Sequence, residues 1–206
     1  MNFVYSLLEK TNIPLFCKNR SNLIEINISY IKMDHPFSLF KFCPKCGSDE
    51  FIINNQDSKK CNSCGFVYYF NSAAAIVAVI ENSNNEVLVA RRGKDPAKGT
   101  FDLPGGFAGR DETIEETVRR EILEETRLEI TSLKYTFSIP NIYVYSGFQV
   151  HTMDLFFECK IDDFSNMKAQ DDVVELLFIP KKELNPDDFG LISIKKGVEK
   201  LQKLSI

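Results

Sequence analysis

The segment from Asp111 to Glu125 concentrates carboxylates, since seven of its fifteen residues are Asp or Glu. Glu124 and Glu125 follow Glu121 by three and four positions, so a helix over residues 113–126 would place all three on one face. That face adjoins the apolar stripe of the same helix, which puts the carboxylates at the edge of a core. Clustered, partly buried carboxylates need a cation. Because oxygen ligands favour Mg²⁺ or Mn²⁺, the sequence predicts such a metal site here.

A solvated acidic helix is the ordinary explanation for many glutamates, and it is the alternative here. The spacing of the neighbouring residues argues against it. Glu112 can close the cluster from the preceding loop, and Arg120 can orient a carboxylate through paired hydrogen bonds. Five residues separate Gly106 from Glu112, and seven separate Glu112 from Arg120, so the cluster belongs to a longer pattern.

That pattern resembles the Nudix box, G-x5-E-x7-R-E-U-x-E-E-x-G-U, in which U is a bulky aliphatic residue. The matching residues are Gly106, Glu112, Arg120, Glu121, Ile122, Glu124, Glu125 and Leu128. Arg127 stands where the family has the glycine that ends the helix, so the departure concerns the backbone turn and removes no ligand. The resemblance covers residues 73–200.

The resemblance implies a fold of the α+β class, the Nudix α/β/α sandwich with a mixed sheet. It also implies an enzyme that hydrolyses a nucleoside diphosphate linked to another moiety and depends on a divalent metal. In that reaction water attacks phosphorus, and Mg²⁺ or Mn²⁺ neutralises charge on the pyrophosphate oxygens.

The family pattern further implies a role for each matching side chain. The carboxylates that would bind the metal are Glu121, Glu124 and Glu125. Glu112 would support the metal shell, and Arg120 would orient Glu121 or a neighbour. A backbone carbonyl near Gly105 would add a ligand. The general base is open between Glu121 and an acid of the late loop 170–175. Asp171, Asp172 and Glu175 are secondary candidates, because a solvated loop is the alternative for each.

A second chemical signal lies upstream, where two Cys-x-x-Cys-Gly units occur with fourteen residues between Cys46 and Cys61. The four cysteines are Cys43, Cys46, Cys61 and Cys64. Each unit can turn its backbone around a metal, and four thiolates suit tetrahedral Zn²⁺. A redox pair would be single, and reduced core cysteines would not repeat the motif. The sequence therefore predicts a structural zinc ribbon whose closed site leaves no position for catalysis.

The segment "SIPNIYVYS" at 138–146 follows the box. It is similar to the S-Q-P-W-P-F-P-x-S motif of NADH pyrophosphatases, a Nudix branch that also carries a four-cysteine ribbon. Asn141 replaces the tryptophan, so a base could stack only on Tyr143 or Tyr145. An ordinary loop entering a strand is the alternative. Two arginines at the end of a strand and the box glycine are further candidates for contact with the substrate. The candidate substrate-binding residues are therefore Arg91, Arg92, Gly106, Ser138, Tyr143 and Tyr145. The implied substrate is a dinucleotide such as NADH, or ADP-ribose.

Three segments organise the chain. Residues 1–41 form an N-terminal extension of uncertain structure, 42–70 the zinc ribbon and 71–206 the Nudix hydrolase domain. The predicted strands lie at 22–31, 73–80, 86–92, 101–107, 128–137, 148–161 and 173–180. The predicted helices cover 113–126 and 190–204, and this mixture of strands and helices favours a sandwich over a bundle or barrel.

Composition restricts the partners. The chain has 206 residues, 44% of them hydrophobic, and a net charge of −4. It shows no apolar run long enough to cross a membrane and no secretion signal, so we expect a cytoplasmic protein with a small nucleotide substrate. No basic stripe favours nucleic acid, although hydrolysis of a nucleotide cap on RNA stays open, as does a homodimer. The alternative function is a nucleotide- or RNA-binding module with a zinc ribbon and vestigial catalysis.

Overall fold

The computed structural model describes residues 35–204, so the predicted strand at 22–31 lies outside the described residues. The strands are β1 (Phe51–Asn55), β2 (Ser58–Cys61), β3 (Val67–Tyr69), β4 (Ala73–Ile80), β5 (Glu86–Arg92), β6 (Phe101–Asp102), β7 (Ser132–Tyr145), β8 (Phe148–Lys160) and β9 (Val173–Pro180). The α-helices are α1 (Ile114–Thr126) and α2 (Ile192–Lys203). Among the described residues, no helix is long and apolar enough to span a membrane.

These strands form three sheets. The first is antiparallel, with the order β1-β2-β3. The second has the order β4-β8-β7, in which β4 runs parallel and β7 antiparallel to β8. The third has the order β6-β5-β9 and is antiparallel.

The central strands are apolar on both faces because each face has its own core. In β4, Ile76 packs in a core with Val118 and Ile122 of α1, whereas Val77 packs in a core with Val198 of α2. Strand β5 divides its side chains in the same way. A continuous apolar run suits a strand that is buried on both sides. The predicted α/β/α sandwich with a mixed sheet is therefore confirmed.

Helix α1 begins and ends close to its predicted bounds. The Thr113 side chain accepts a hydrogen bond from the Glu116 amide, and the Glu116 carboxylate accepts one from the Thr113 amide, which makes a capping box. At the other end, Arg127 adopts φ 64°, ψ 13°, and its N–H donates to the carbonyl of Leu123. The helix thus ends in a left-handed residue, although that residue is not glycine.

Two predicted strands differ from the structure. The strand expected at 101–107, with a break at Pro104, Gly105 and Gly106, pairs with β5 only over Phe101–Asp102, because the residues from Pro104 onwards turn towards β4. The strand expected at 128–137 begins at Ser132 and continues to Tyr145. It includes most of the segment 138–146 because β7 pairs with β8 along its whole length and turns at Ser146 and Gly147, both with positive φ.

The first sheet is joined to the rest by aromatic contacts. Phe40 lies edge-on to Phe148 of β8 with ring centroids 5.5 Å apart, and Phe70 contacts His151 at 4.9 Å. Phe37 stacks on Tyr68 of β3. These contacts support a proposed ribbon unit that includes residues 35–41 in addition to the expected 42–70.

Candidate active site

Glu125 is the most buried carboxylate on α1, with 9% of its surface exposed. Burial raises its pKa to about 8, although a hydrogen bond from the Gly105 N–H, at 2.9 Å, opposes the shift. The nearby carboxylates of Asp102, Glu121 and Asp171 act in the same direction as burial. Among the described residues, no basic side chain forms an ion pair with Glu125. A buried carboxylate without a countercharge fits a metal ligand.

The loop of Pro104, Gly105 and Gly106 lies against both α1 and β4. A Cβ on Gly105 would lie 2.1 Å from the carbonyl oxygen of Ile76, and one on Gly106 would lie 2.4 Å from Cδ of Glu121. A side chain at Gly105 would collide with the β4 backbone, so this position requires glycine, whereas one at Gly106 would displace the Glu121 carboxylate. The carbonyls of Pro104 and Gly106 accept hydrogen bonds from β4, whereas that of Gly105 accepts none among the described residues. The predicted carbonyl ligand near Gly105 is therefore available.

Arg120 connects the other acids of the predicted cluster. Its Nε and Nη2 donate to the two carboxylate oxygens of Glu112, and its Nη1 donates to Glu121 at 2.8 Å and Glu124 at 3.0 Å. The paired bonds from Arg120, with further donors at Gly109 and Thr117, lower the pKa of Glu112 to about 2. Glu112 thus holds Arg120, and Arg120 holds the carboxylates of Glu121 and Glu124.

Glu121, Glu124 and Glu125 differ in their surroundings, although they share one region of α1. Burial raises the pKa of Glu121, whereas the Glu124 side chain is 52% exposed. Among the described residues, only the cysteines form a group of three or more potential ligands whose ligand atoms lie within 4.8 Å of one another. The three carboxylates do not converge that closely. Their oxygen-only donor set, with the Gly105 carbonyl, nevertheless fits Mg²⁺ or Mn²⁺.

Both predicted phosphate-contacting arginines are engaged within the protein. Arg92 forms an ion pair with the buried Asp102, and its Nε donates to the carbonyl of Pro96 at 2.8 Å. Arg91 pairs with Glu175 at 2.9 Å and lies over the ring of Phe101. The Arg91 side chain is 36% exposed, against 22% for Arg92. Arg91 is therefore the better placed of the two for a ligand, and Arg92 braces the strand before the glycine loop.

The three secondary acids fall into different environments. Glu175 pairs with Arg91, and Asp172 pairs with Lys94. Asp171 has no ion pair among the described residues and adopts φ 52°. It lines an open cleft of about 520 Å³ together with Glu124 and contributes to the raised pKa of Glu125. Asp171 is thus the late-loop acid that the structure brings nearest to the carboxylates of α1.

The segment after the box is split between the two faces of β7. Tyr143 is partly buried, and burial raises its pKa, with Asp154 and Arg92 also within electrostatic range. Tyr145 is 59% exposed and lies near Lys94. Ser138 is exposed on the opposite face from Tyr143. The structure therefore places the two tyrosines towards the segment of Arg92 and Lys94. It places Ser138 on the other face of β7.

Sequence reasoning missed a buried polar cluster behind Tyr143. Asp154 is 5% exposed and accepts hydrogen bonds at 2.5 Å from the hydroxyls of Thr152 and Ser193. The Asn141 side chain also hydrogen-bonds Asp154, while its Oδ1 has no partner among the described residues. The signal in the sequence was the acid Asp154 between the apolar residues Met153 and Leu155 of β8.

The four cysteines meet as predicted. The sulfurs of Cys43 and Cys64 are 3.8 Å apart, and those of Cys46 and Cys61 are 3.6 Å apart. Zn–S bonds of about 2.3 Å in a tetrahedron place sulfurs at about this separation. The glycines that follow each pair, Gly47 and Gly65, have positive φ and donate to the first cysteine's carbonyl. The cluster can hold zinc, and its four thiolates leave no open position.

Comparisons with known proteins agree with this geometry. The family description "NUDIX domain" matches residues 71–197. "NAD-capped RNA hydrolase NudC" of Vibrio parahaemolyticus is 30% identical over 110 residues, which cover 53% of this chain and 42% of that protein. "ADP-ribose pyrophosphatase" of Methanocaldococcus jannaschii is 41% identical over 92 residues, covering 44% and 51%. The chain thus matches about half of these curated relatives or less.

Among solved structures, a NUDIX hydrolase from Nitrosomonas europaea has a TM-score of 0.60 at 21% identity, covering 79% of this chain and 90% of that one. At this identity the likeness concerns the fold alone.

Proposed function

Because this chain belongs to the Nudix family, we propose that it is a divalent-metal-dependent hydrolase that cleaves the pyrophosphate of a nucleoside diphosphate linked to another moiety. One observation carries the proposal. Glu125 is a buried carboxylate without a basic partner among the described residues, and it lies against the glycine loop whose Gly105 carbonyl is available. A vestigial binding module has no need to keep such an arrangement, because an unpaired buried carboxylate destabilises the fold.

In the proposed reaction, Glu121, Glu124, Glu125 and the carbonyl of Gly105 would hold Mg²⁺ or Mn²⁺. When bound, the metal would neutralise charge on the pyrophosphate oxygens. Arg120 fixes Glu121 and Glu124 in place through Nη1, and Glu112 fixes Arg120. We propose Asp171 as the base that accepts the proton of the attacking water, with Glu121 as the alternative, because Asp171 has no ion pair among the described residues and lies beside Glu124.

We propose a dinucleotide such as NADH, or ADP-ribose, as the substrate. The matching relatives from Vibrio and Methanocaldococcus are named for NAD-capped RNA and ADP-ribose, which share an ADP-ribosyl unit. Tyr143 and Tyr145 provide aromatic rings near Arg92 and Lys94, and a base could stack on them. Arg91, with a side chain one-third exposed, can reach a phosphate.

The test is hydrolysis of a panel of NADH, NAD, ADP-ribose, a diadenosine polyphosphate, a nucleoside triphosphate and an NAD-capped RNA oligonucleotide, with Mg²⁺ and Mn²⁺ separately. Glu125→Gln is the test variant, and Glu115→Gln on the exposed first turn of the same helix is its charge-matched control. We expect a nucleoside monophosphate product from the wild type and from Glu115→Gln but not from Glu125→Gln. Ligand binding without turnover with either metal would instead favour the binding module.

A further inference from the structure

Arg127 occupies a backbone position that glycine fills without penalty. Its φ of 64° lies in the left-handed region, which an arginine side chain disfavours. The helix could therefore end equally well, or better, with glycine at this position. The reason for an arginine here has to lie in what its side chain contacts.

The Arg127 side chain reaches the late loop. Its Nε donates a 2.6 Å hydrogen bond to Oε1 of Gln170. The same loop caps the end of α1, since the Lys168 N–H donates to the carbonyl of Thr126 and the Gln170 N–H donates to that of Glu125, both at 2.9 Å. One side-chain bond and two backbone bonds thus hold residues 168–170 against the last turn of the carboxylate helix.

The far end of this loop is held by the segment after β5. The Gly93 N–H donates to the carbonyl of Asp172 at 2.7 Å, and Lys94 forms an ion pair with the Asp172 carboxylate. Asp171 lies between the two anchors with φ 52°, a conformation that also requires restraint in a residue other than glycine. The position of the Asp171 carboxylate beside Glu124 therefore depends on both anchors.

We propose that Arg127 is a positioning residue which, through Gln170, holds Asp171 at the carboxylate site. The inference rests on the proposed hydrolase function and deepens it, because it explains how one acid of a solvent-facing loop keeps a fixed place. It assigns no direct contact with substrate to Arg127. It also predicts that catalysis and helix stability respond in opposite directions when Arg127 becomes glycine.

Three variants test the proposal. Arg127→Gly relieves the backbone and removes the bond, Gln170→Ala removes the same bond without a change of charge, and Arg127→Lys keeps a donor at the same position. Amide hydrogen exchange in 168–172 is measured without metal or substrate, so it is independent of whether the hydrolase function is right. Thermal unfolding and the separate kcat and KM values, on the substrate that the wild type turns over, complete the set.

We expect Arg127→Gly and Gln170→Ala to speed exchange of the Lys168 and Gln170 amides and to lower kcat about three- to tenfold, the range for one exposed hydrogen bond. KM should stay near the wild-type value. The unfolding temperature of Arg127→Gly should equal or exceed that of the wild type. Arg127→Lys should recover part of the lost kcat.

Wild-type exchange and wild-type kcat in both Arg127→Gly and Gln170→Ala would overturn the proposal. So would a loss that appears in KM alone, because that result would place Arg127 in substrate binding. If the wild type turns over no substrate while exchange responds as expected, the loop anchor stands and the proposed hydrolase function fails.

Discussion

The amide of Gly105 donates to the buried carboxylate of Glu125 at 2.9 Å, and the next residue, Gly106, leaves no room for a Cβ beside the carboxylate of Glu121. The two consecutive glycines therefore let one backbone turn lie directly against two acids of α1. This close approach explains why the turn and the helix form one unit. A substitution at Gly106 should therefore act through the carboxylate of Glu121, whereas one at Gly105 would meet the backbone of β4.

Gly106→Ala is the direct test of that relationship. The new methyl group would lie 2.4 Å from Cδ of Glu121, so the carboxylate has to move away. We expect kcat to fall by about a factor of ten to one hundred, because misplacement of a catalytic group by an ångström costs this much. The unfolding temperature should change little, since a side-chain end can rotate. A large loss of stability with normal Mn²⁺ affinity would contradict this account.

Asp102→Asn tests the ion pair that braces the strand before the glycine loop. Asp102 is buried, and removal of its charge leaves the guanidinium of Arg92 without its partner. Breaking a buried pair costs about 3 kcal/mol, so the free energy of unfolding in urea should fall by about this amount. Glu175→Gln is the matched control, because the Arg91 pair is much more exposed and should cost less than about 1 kcal/mol. Equal losses of unfolding free energy in the two variants would contradict the expected difference between the buried and the exposed ion pair.

Removal of the metal should affect the ribbon selectively. Its core consists of few residues, chiefly Cys43, Phe51 and Cys61, so zinc has to supply much of its folding free energy. We expect about one zinc per chain in the wild type and none in Cys64→Ser, whose residues 35–70 should become sensitive to protease. Cys159→Ser is the control, because that buried thiol lies outside the cluster. Full zinc content in Cys64→Ser would show that the metal is held elsewhere.

Local sequence was sufficient for the carboxylate helix. Thr113 and Glu116 form the capping box, and the spacing of Val118 and Ile122 fixes the buried face, so the acids of α1 follow without any tertiary information. The cysteine cluster was equally predictable, because each motif carries its own turn. The residue pattern therefore predicts those features that depend on one short segment of the chain.

Pairing between distant segments was not predictable in the same way. Ser138 faces away from Tyr143, and the register of β7 explains its position. The two residues are five positions apart, so once the pairing of β7 with β8 makes this segment a strand, alternation turns their side chains to opposite faces. The ion pair between Arg92 and Asp102 likewise depends on the pairing of β5 with β6. These contacts decide which candidate arginine and which motif residues face the site.

The carboxylate of Asp154 gives a pH dependence that can be derived from its environment. Burial raises the pKa of Asp154, although Ser193, Thr152 and Asn141 oppose the shift through hydrogen bonds. The folded protein therefore binds this proton more tightly than the unfolded chain, whose Asp pKa is about 3.9. The sign follows from linkage: the contribution of Asp154 to stability is most favourable below pH 4 and declines as pH rises through the folded-state pKa.

Asp154→Asn should remove that decline, because the amide carries no charge to desolvate. Its oxygen can accept one of the two hydroxyl protons of Thr152 and Ser193, and its NH2 can donate to the other hydroxyl oxygen. We expect the variant to be at least as stable as the wild type at pH 7, and the difference between the two to shrink as pH falls towards 4. Urea denaturation at a series of pH values measures this, with exposed Asp162→Asn as the control for charge. A variant that is less stable than the wild type at pH 7 would show that the three hydrogen bonds to the carboxylate outweigh its desolvation.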